Sequence, residues 1–155
     1  FFVLEGFQAG LSWQIVLNKR EAFREAFDQF DPEKVAEYDD AKITALGENP
    51  AIIRNKAKIA ACVNNAQRFL EVQKEFGSFD NYIWKFVDYK PVVNRYTMLS
   101  ELPAKTPLSD AISADLKKRG FKFVGSTVIY AHLQATGMVN DHLVTCYRHK
   151  QVILG

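Results

Sequence analysis

The sequence predicts an all-α fold, and two observations support that prediction. Apolar residues recur three and four positions apart over most of the chain, which is the spacing of one helix face. Only residues 121–131 have the β-branched and aromatic content of a strand, and a single strand has no partner to pair with. We therefore expect the second half of that segment to be helical as well.

Three helices are predicted in the first half of the chain. Residues 13–28 carry apolar side chains at helical spacing, and Ser12 is a candidate N-cap. Asp31 is followed by a proline and a glutamate, which is typical of a cap and the first turn of a short helix. Residues 55–76 gather their apolar side chains on one broad face, so this segment predicts a long amphipathic helix.

The second half of the chain is predicted to hold further helices separated by a long loop. Ser78 and Ser109 are candidate caps that open helices over 79–87 and 109–118. The segment 88–107 contains three of the five prolines of the chain and predicts an extended loop, because proline disfavours the helical conformation in the residue before it.

Length and composition restrict the class of protein. A chain of 155 residues fits one globular domain, and 48% apolar residues with a net charge of +2 exclude disorder. No window approaches the roughly 18 uncharged apolar residues of a membrane span, so we expect no membrane partner. Two cysteines, Cys62 and Cys146, cannot build a disulfide scaffold, so we expect a reducing, cytoplasmic location.

The start of the chain is unusual. Residues 1–5 contain no initiator methionine, and four consecutive apolar residues are typical of the interior of a buried helix. We expect residues upstream of Phe1 to be missing, and we interpret residues 1–155 as a single helical domain that is incomplete at its N-terminus.

Basic residues cluster at one place in the sequence. Four cations surround a predicted turn at about 119–126: Lys117, Lys118, Arg119 and Lys122. A glycine turn ahead of a helix N-terminus points backbone N–H groups outward and offers a site for phosphate, to which lysines add charge. The alternative interpretation is an ordinary basic helix C-terminus closed by a glycine cap at Gly120.

The residues of this turn also carry a family resemblance. The stretch from Leu116 to Gly125 (LKKRGFKFVG) resembles the hairpin of helix-hairpin-helix DNA glycosylases, and more narrowly that of the DNA-3-methyladenine glycosylase I family. Further motifs similar to those of the family occur in its order at residues 4–13, 52–59 and 139–143. The resemblance covers essentially the whole chain. It implies a helix-hairpin-helix glycosylase-like domain that removes 3-methyladenine from alkylated double-stranded DNA, and we expect a monomer.

Glu5 and Trp13 are the candidate base-binding residues, and Glu5 is also the candidate catalytic residue. A carboxylate beside apolar and aromatic groups suits a flat cation, and 3-methyladenine in DNA is a flat cation. The resemblance implies that Glu5 accepts hydrogen bonds from the extruded base and that Trp13 stacks on it. The alternative interpretation is that Trp13 belongs to the core and Glu5 caps a helix.

The remaining candidates for DNA contact lie in two segments. Gln8 and Leu11 offer a flat amide and an apolar wedge that would fill the gap left by a flipped base. Leu11 is equally well interpreted as an ordinary loop hydrophobe. The candidates in the hairpin are Lys118, Gly120, Lys122, Gly125 and Ser126.

His142 and Cys146 form a candidate half-site for zinc. They are four residues apart, so on a helix both would face one metal ion. The resemblance implies a structural zinc site completed by a cysteine and a histidine near the N-terminus of the family, upstream of Phe1. His149 is an alternative third ligand, although three ligands would still leave the site open, and without the upstream residues the site is incomplete.

Two departures from the wider superfamily bear on mechanism. Asn140 stands where many helix-hairpin-helix glycosylases keep a catalytic aspartate, and it cannot ionise. Ser126 and Thr127 follow the second hairpin glycine, where members with lyase activity carry a lysine. Without an amine no Schiff base forms, so we expect a monofunctional enzyme that leaves the abasic site intact. Because the lesion is already cationic, modest electrostatic assistance suffices for its departure.

Two other functions remain as alternatives. A non-enzymatic helix-hairpin-helix module that binds DNA, or a scaffold that docks a partner, would need the basic hairpin but not Glu5 and Trp13 at one cavity. A generic helical enzyme with an incidental basic turn would give a flat DNA-binding titration with no salt dependence. Release of base from methylated DNA separates the glycosylase from both.

Overall fold

The computed structural model describes the backbone of residues 2–154 and the side chains of residues 3–152, and in this range the fold is helical. The α-helices are α1 (Phe2–Gln8), α2 (Trp13–Asn18), α3 (Arg20–Ala26), α4 (Pro32–Ala36), α5 (Asp40–Glu48), α6 (Lys56–Phe76), α7 (Phe79–Trp84), α8 (Pro107–Lys118), α9 (Ser126–Ala135) and α10 (Tyr147–Leu154). Single 3₁₀ turns occupy Asp28–Phe30, Lys85–Val87 and Leu99–Glu101. The predicted all-α class is confirmed.

Helix α6 is the central element, because its two halves belong to different hydrophobic cores. Ile59 and Val63 in its first half pack into a core with helices α1 to α5. Val72 in its second half packs into a core with α7, α8, α9 and the residues that follow α9. The buried face of this 21-residue helix therefore fixes the position of the N-terminal helices relative to α8 and α9.

The caps predicted from Asp31 and Ser78 are confirmed. The Asp31 carboxylate accepts hydrogen bonds from the N–H groups of Glu33 and Lys34 at the start of α4. The Ser78 hydroxyl accepts from the N–H of Asn81 at the start of α7. Each satisfies a backbone donor that has no partner within its helix.

The predicted helix over 13–28 is wrong in one respect, because it is two helices. The backbone leaves helical geometry at Lys19, with φ −101° and ψ 4°, and the Lys19 ammonium donates to the carbonyls of Pro50 and Ala51. Apolar residues keep their helical spacing across this break, so the sequence pattern does not predict it. Ser12 occupies the N-cap position, but its side chain makes no capping hydrogen bond.

The predicted boundaries of α7 and α8 also need correction. Helix α8 begins at Pro107, and its cap is Thr106 rather than Ser109. Ser109 is the other half of a capping box, in which its hydroxyl accepts from the N–H of Thr106 at 2.8 Å. Helix α7 ends at Trp84, and only a 3₁₀ turn continues to residue 87.

A short sheet pairs two segments that the sequence did not identify as strands. Strand β1 (Val92–Val93) runs parallel to β2 (Val139–Asn140), with Val92 opposite Val139. β1 lies inside the predicted loop 88–107, and the pairing fixes that loop against the segment after α9. The helical second half of residues 121–131 is confirmed as the start of α9. Within residues 2–154, no helix combines the length and apolarity needed to cross a bilayer.

Candidate active site

The basic cluster lies between α8 and α9, in a segment of residues 119–125 that we name the α8–α9 turn. Helix α8 ends in a Schellman motif: the N–H of Gly120 donates to the carbonyl of Lys117 and that of Phe121 to Leu116. Gly120 has φ +90°, and a Cβ there would lie 3.3 Å from Cδ of Arg68. The positive φ therefore favours glycine at this position, and any Cβ would also require the Arg68 side chain to shift slightly.

Three of the four predicted cations are available to a ligand, and the fourth is not. Lys117, Lys118 and Lys122 are exposed and form no ion pair within the described part of the chain. Arg119 instead donates to Glu75 at 2.7 Å and to Asp115 at 2.9 Å. Hydrogen bonding to Glu75, with Asp115 adding to it, raises the pKa of Arg119. Arg119 is thus a structural cation that fastens α8 to α6.

The start of α9 presents its backbone rather than its side chains. Gly125 is the N-cap, and no side chain caps the first N–H groups. The hydroxyl of Ser126 lies 2.8 Å from that of Ser109, so Ser126 is engaged with α8 and only its backbone N–H remains for a phosphate. Gly125 has ordinary negative φ, and an added Cβ would meet nothing within 4 Å.

Two asparagines of α6 hold the α8–α9 turn, and the sequence analysis missed both. The Asn64 amide donates to the carbonyl of Gly120 at 2.8 Å. Asn65 donates to the carbonyl of Lys122 at 2.9 Å and accepts from its N–H at 2.8 Å. The available signal was two adjacent asparagines inside a helix, where asparagine is a poor helix former.

Glu5 lies in the interior of the protein, on α1. Its side chain is 1% exposed, and its Oε2 lies 3.0 Å from Nδ1 of His132 on α9. Its other oxygen, Oε1, is buried and has no hydrogen-bond partner among the described residues. Glu5 sits within α1 and caps no helix, so the alternative interpretation of Glu5 as a cap is wrong. His132 was missed because it is a lone histidine in an apolar helix.

Trp13 and Glu5 occupy neighbouring helices. Trp13 opens α2 and is 36% exposed, so the alternative interpretation of Trp13 as a core residue is wrong. Glu5 faces α9 instead of open solvent. An apolar cavity of about 230 Å³ lies against α1, where Val3, Phe7 and Lys58 line it and Glu5 does not.

The segment between α1 and α2, residues 9–12, forms a tight turn. Gly10 has φ +81°, and the Gln8 amide donates to the carbonyl of Leu11 at 2.7 Å. The ammonium of Lys58 donates to the carbonyls of Phe7 and Ala9 at 2.9 and 2.6 Å, and burial lowers its pKa. The structure therefore brings Gln8 and Leu11 together at the tip of a turn whose backbone is fixed by the Lys58 ammonium.

Asn140 and its neighbour Asp141 have structural partners. Asn140 is buried, and its amide donates to the carbonyl of His149 at 2.8 Å. The carboxylate of Asp141 accepts hydrogen bonds from Tyr130 and, at 2.5 Å, from Asn94. Both side chains therefore hold the segment after β2 in place.

The predicted metal ligands lie next to each other, but not on a helix. His142 and Cys146 belong to the turn before α10, with Nδ1 and Sγ 4.0 Å apart. His149 contacts the carbonyl of Asn94 through Nε2, which excludes that nitrogen as a third ligand in this conformation. No group of three or more histidine, cysteine or acidic side chains suited to a metal occurs among the described residues.

The chain is similar to known proteins over most of its length. The methyladenine glycosylase family model matches residues 1–149. DNA-3-methyladenine glycosylase 1 of Escherichia coli is 49% identical over 143 residues, which are 92% of this chain and 76% of that protein. The Haemophilus influenzae DNA-3-methyladenine glycosylase is 50% identical over 143 residues, 92% of this chain and 77% of that protein.

Solved structures give the same result. The structure of Staphylococcus aureus 3-methyladenine DNA glycosylase I that describes 3-methyladenine recognition superposes with a TM-score of 0.90 at 38% identity. The superposition covers 94% of this chain and 78% of that one. On the sequence match and the shared fold together, this chain belongs to the methyladenine glycosylase family.

Proposed function

We propose that this chain is a monofunctional DNA-3-methyladenine glycosylase, which hydrolyses the N-glycosidic bond of 3-methyladenine in alkylated double-stranded DNA. The observation that carries the proposal is the half-satisfied carboxylate of Glu5 in a chain of the methyladenine glycosylase family. A buried polar atom without a partner costs about 1–3 kcal/mol, so Oε1 is well suited to accept a hydrogen bond from a ligand that brings a donor.

The chemistry of the lesion suits Glu5. A 3-methylated adenine nucleotide carries a positive charge and an exocyclic amino group, which is a hydrogen-bond donor. Oε1 of Glu5 would accept a hydrogen bond from the base. The attraction between the carboxylate and the cationic base is strongest where water is excluded. Trp13, exposed on the adjacent helix, would stack on the flat base.

The DNA backbone would be held by the α8–α9 turn acting as a helix-hairpin-helix element. The uncapped N–H groups that follow Gly125 provide phosphate donors, while Lys118 and Lys122 add charge from either side of Gly120. Gln8 and Leu11, at the tip of their turn, would occupy the space left in the duplex by the flipped base.

The proposed reaction breaks one bond and forms another. The bond between the sugar C1′ and the base nitrogen breaks, and its electron pair neutralises the cationic base as it leaves. Water adds its oxygen to C1′ and loses a proton to solvent. Ser126 and Thr127 supply no amine for a Schiff base, so the sugar–phosphate chain stays intact.

We also propose that His142 and Cys146 are two ligands of a structural zinc site. Ideal tetrahedral bonds of roughly 2.3 Å to sulfur and 2.0 Å to nitrogen separate the two ligand atoms by about 3.5 Å. The observed 4.0 Å needs only a small adjustment. Bound zinc would fix the turn before α10, and its remaining ligands are not among the described residues.

A base-release assay tests the proposed function. Methylated duplex DNA incubated with the protein should release 3-methyladenine and retain an uncleaved strand with an abasic site. Glu5→Gln should slow release roughly 10- to 100-fold, because it removes a charged hydrogen bond in a dry site. Glu25→Gln is the matched control, since Glu25 is exposed on α3 and forms no ion pair in the described residues.

Three results would contradict the proposal. Duplex binding without any release of base would indicate a DNA-binding module, strand cleavage would indicate a lyase, and release at the parent rate by a folded Glu5→Gln variant would remove Glu5 from the site.

A further inference from the structure

Glu5 and His132 form a buried pair that links the two halves of the fold. They are 127 residues apart in sequence, on α1 and α9, and their side chains are 1% and 10% exposed. When the Glu5 carboxylate is ionised it can only accept hydrogen bonds, and the contact then requires Nδ1 of His132 to carry a proton and donate to Oε2. This is the hydrogen bond that the structure assigns to the Glu5 carboxylate.

The contact has a geometric consequence for the rest of the carboxylate. A glutamate side chain rotates about three torsions, and a hydrogen bond to one oxygen at 3.0 Å restricts all of them together. With Oε2 held by His132 and the side chain buried, the rotation of the carboxylate is restricted, and Oε1 is the oxygen that has no partner among the described residues. Oε2 therefore orients the carboxylate, and Oε1 remains available to a ligand.

We propose that His132 is the positioning residue of the base site, holding Glu5 so that Oε1 meets the methylated base. This inference rests on the proposed function, because it assigns to His132 a task only if Glu5 binds the base. His132 would act through Glu5 and would not touch the substrate.

The chemistry of imidazole suits this task better than that of the other donors. A lysine or arginine in the same place would orient the carboxylate but cancel its charge, and the charge is what attracts a cationic base. An imidazole can donate through Nδ1 without carrying a charge, so it can orient the carboxylate without cancelling the charge of Glu5. The restriction of Glu5 before the base arrives also lowers the entropy lost on binding.

The position of His132 on α9 adds a connection between two sites. The N-terminus of α9 follows Gly125, where phosphate would bind, and His132 lies in its last turn. A single ten-residue helix therefore carries both the backbone contact and the residue that orients the acid. The distance between the phosphate and the base pocket is set by one rigid element, which suits a substrate of fixed dimensions.

Side-chain replacement distinguishes positioning from a merely structural role. His132→Leu removes the donor, whereas His132→Asn keeps an N–H close to the place of Nδ1. We expect the leucine variant to excise 3-methyladenine roughly 10-fold more slowly and to bind the free base roughly 10-fold more weakly, in line with the loss of one buried charged hydrogen bond. The asparagine variant should recover most of that loss, and both should bind undamaged duplex like the parent.

A double-mutant cycle provides the second readout. If His132 acts through Glu5, then His132→Leu should cause little further loss of free-base binding in the Glu5→Gln background. Additive losses would overturn the proposal. So would a leucine variant that binds the free base at parent affinity while Glu5→Gln is impaired, and in that case the proposed function would stand. Parent activity in Glu5→Gln itself would instead overturn the proposed function.

A comparison of two amides keeps the test decisive if the leucine variant does not fold. His132→Asn places its N–H near the position of Nδ1, and His132→Gln places it near that of Nε2. The proposal requires the asparagine variant to be the more active in excision, and equal or reversed activities would contradict it.

Discussion

The first residues of α9 lie partly at the surface, whereas His132 in its last turn is buried against α1. Around the first turn, Lys118 and Lys122 are exposed and the N–H groups after Gly125 have no side-chain cap. At the other end, His132 contacts Glu5 where almost no solvent reaches. A phosphate can approach the first end from water and be screened by salt, but only a group brought inside can reach the second. The two ends therefore suit two kinds of recognition, one for any duplex and one for the altered base.

The largest loss of activity among the following variants is expected from Trp13, which we assign to recognition of the altered base rather than of the duplex. Trp13→Ala should reduce excision and free 3-methyladenine binding roughly 10- to 100-fold, because one aromatic stacking contact contributes about 1–3 kcal/mol. Since Trp13 is 36% exposed, its removal should lower the melting temperature less than the loss of a fully buried aromatic would. Titration with undamaged duplex provides the control and should give the parent affinity. Loss of affinity for both ligands would place Trp13 in the general DNA contact.

Gly125 tests the opposite end of α9. Gly125→Asp should weaken binding of damaged and undamaged duplex alike by roughly 10-fold at low salt, because a carboxylate repels phosphate. Gly125→Ala is the matched control, since a Cβ there meets open space and φ is ordinary. Affinities measured over a salt series decide the matter. If the two variants bind duplex equally well, the α8–α9 turn does not contact phosphate.

A smaller effect is expected from the support beneath that turn. Asn65→Ala removes two hydrogen bonds to the backbone of Lys122, so the turn loses its fixed shape. Duplex affinity should fall about three-fold and the free energy of unfolding by about 1 kcal/mol, as for partly exposed hydrogen bonds. Gln67→Ala is a suitable control, because Gln67 also lies on α6 but donates to Ala36. Equal duplex affinities of the two variants would make Asn65 a purely structural residue.

The smallest effect on activity is expected at the metal ligands. Cys146→Ala should lower the zinc content and the melting temperature of zinc-loaded protein, while free-base binding stays at the parent level. Elemental analysis with parallel thermal melts measures both. Unchanged zinc content in Cys146→Ala would show that its thiol is not a ligand.

The same contrast explains what the sequence could predict. The turn after α8 is encoded by contiguous residues, since Gly120 closes one helix and Gly125 precedes the next. Capping by Asp31 and Ser78 is predictable because each cap is contiguous with the helix that it begins. The break at Lys19 is not, because it depends on carbonyls of Pro50 and Ala51 that only the folded chain brings near.

The candidate site was predicted unevenly for the same physical reason. Glu5 belongs to a recognisable motif, but its partner His132 is 127 residues away and has no motif of its own. Arg119 carries a charge in the sequence, and only the contact with Glu75 shows that this charge is already paired. Residues whose role depends on a distant partner therefore required the structure.

Isothermal titration of free 3-methyladenine into the parent and into Glu5→Gln protein tests whether the Glu5 carboxylate binds the base. Binding of the free base involves no phosphate contact, so it reports only on the buried end of α9. We predict that Glu5→Gln binds 3-methyladenine roughly 10- to 100-fold more weakly than the parent, while Glu25→Gln binds like the parent. Equal affinities of the parent and a folded Glu5→Gln variant would contradict the account.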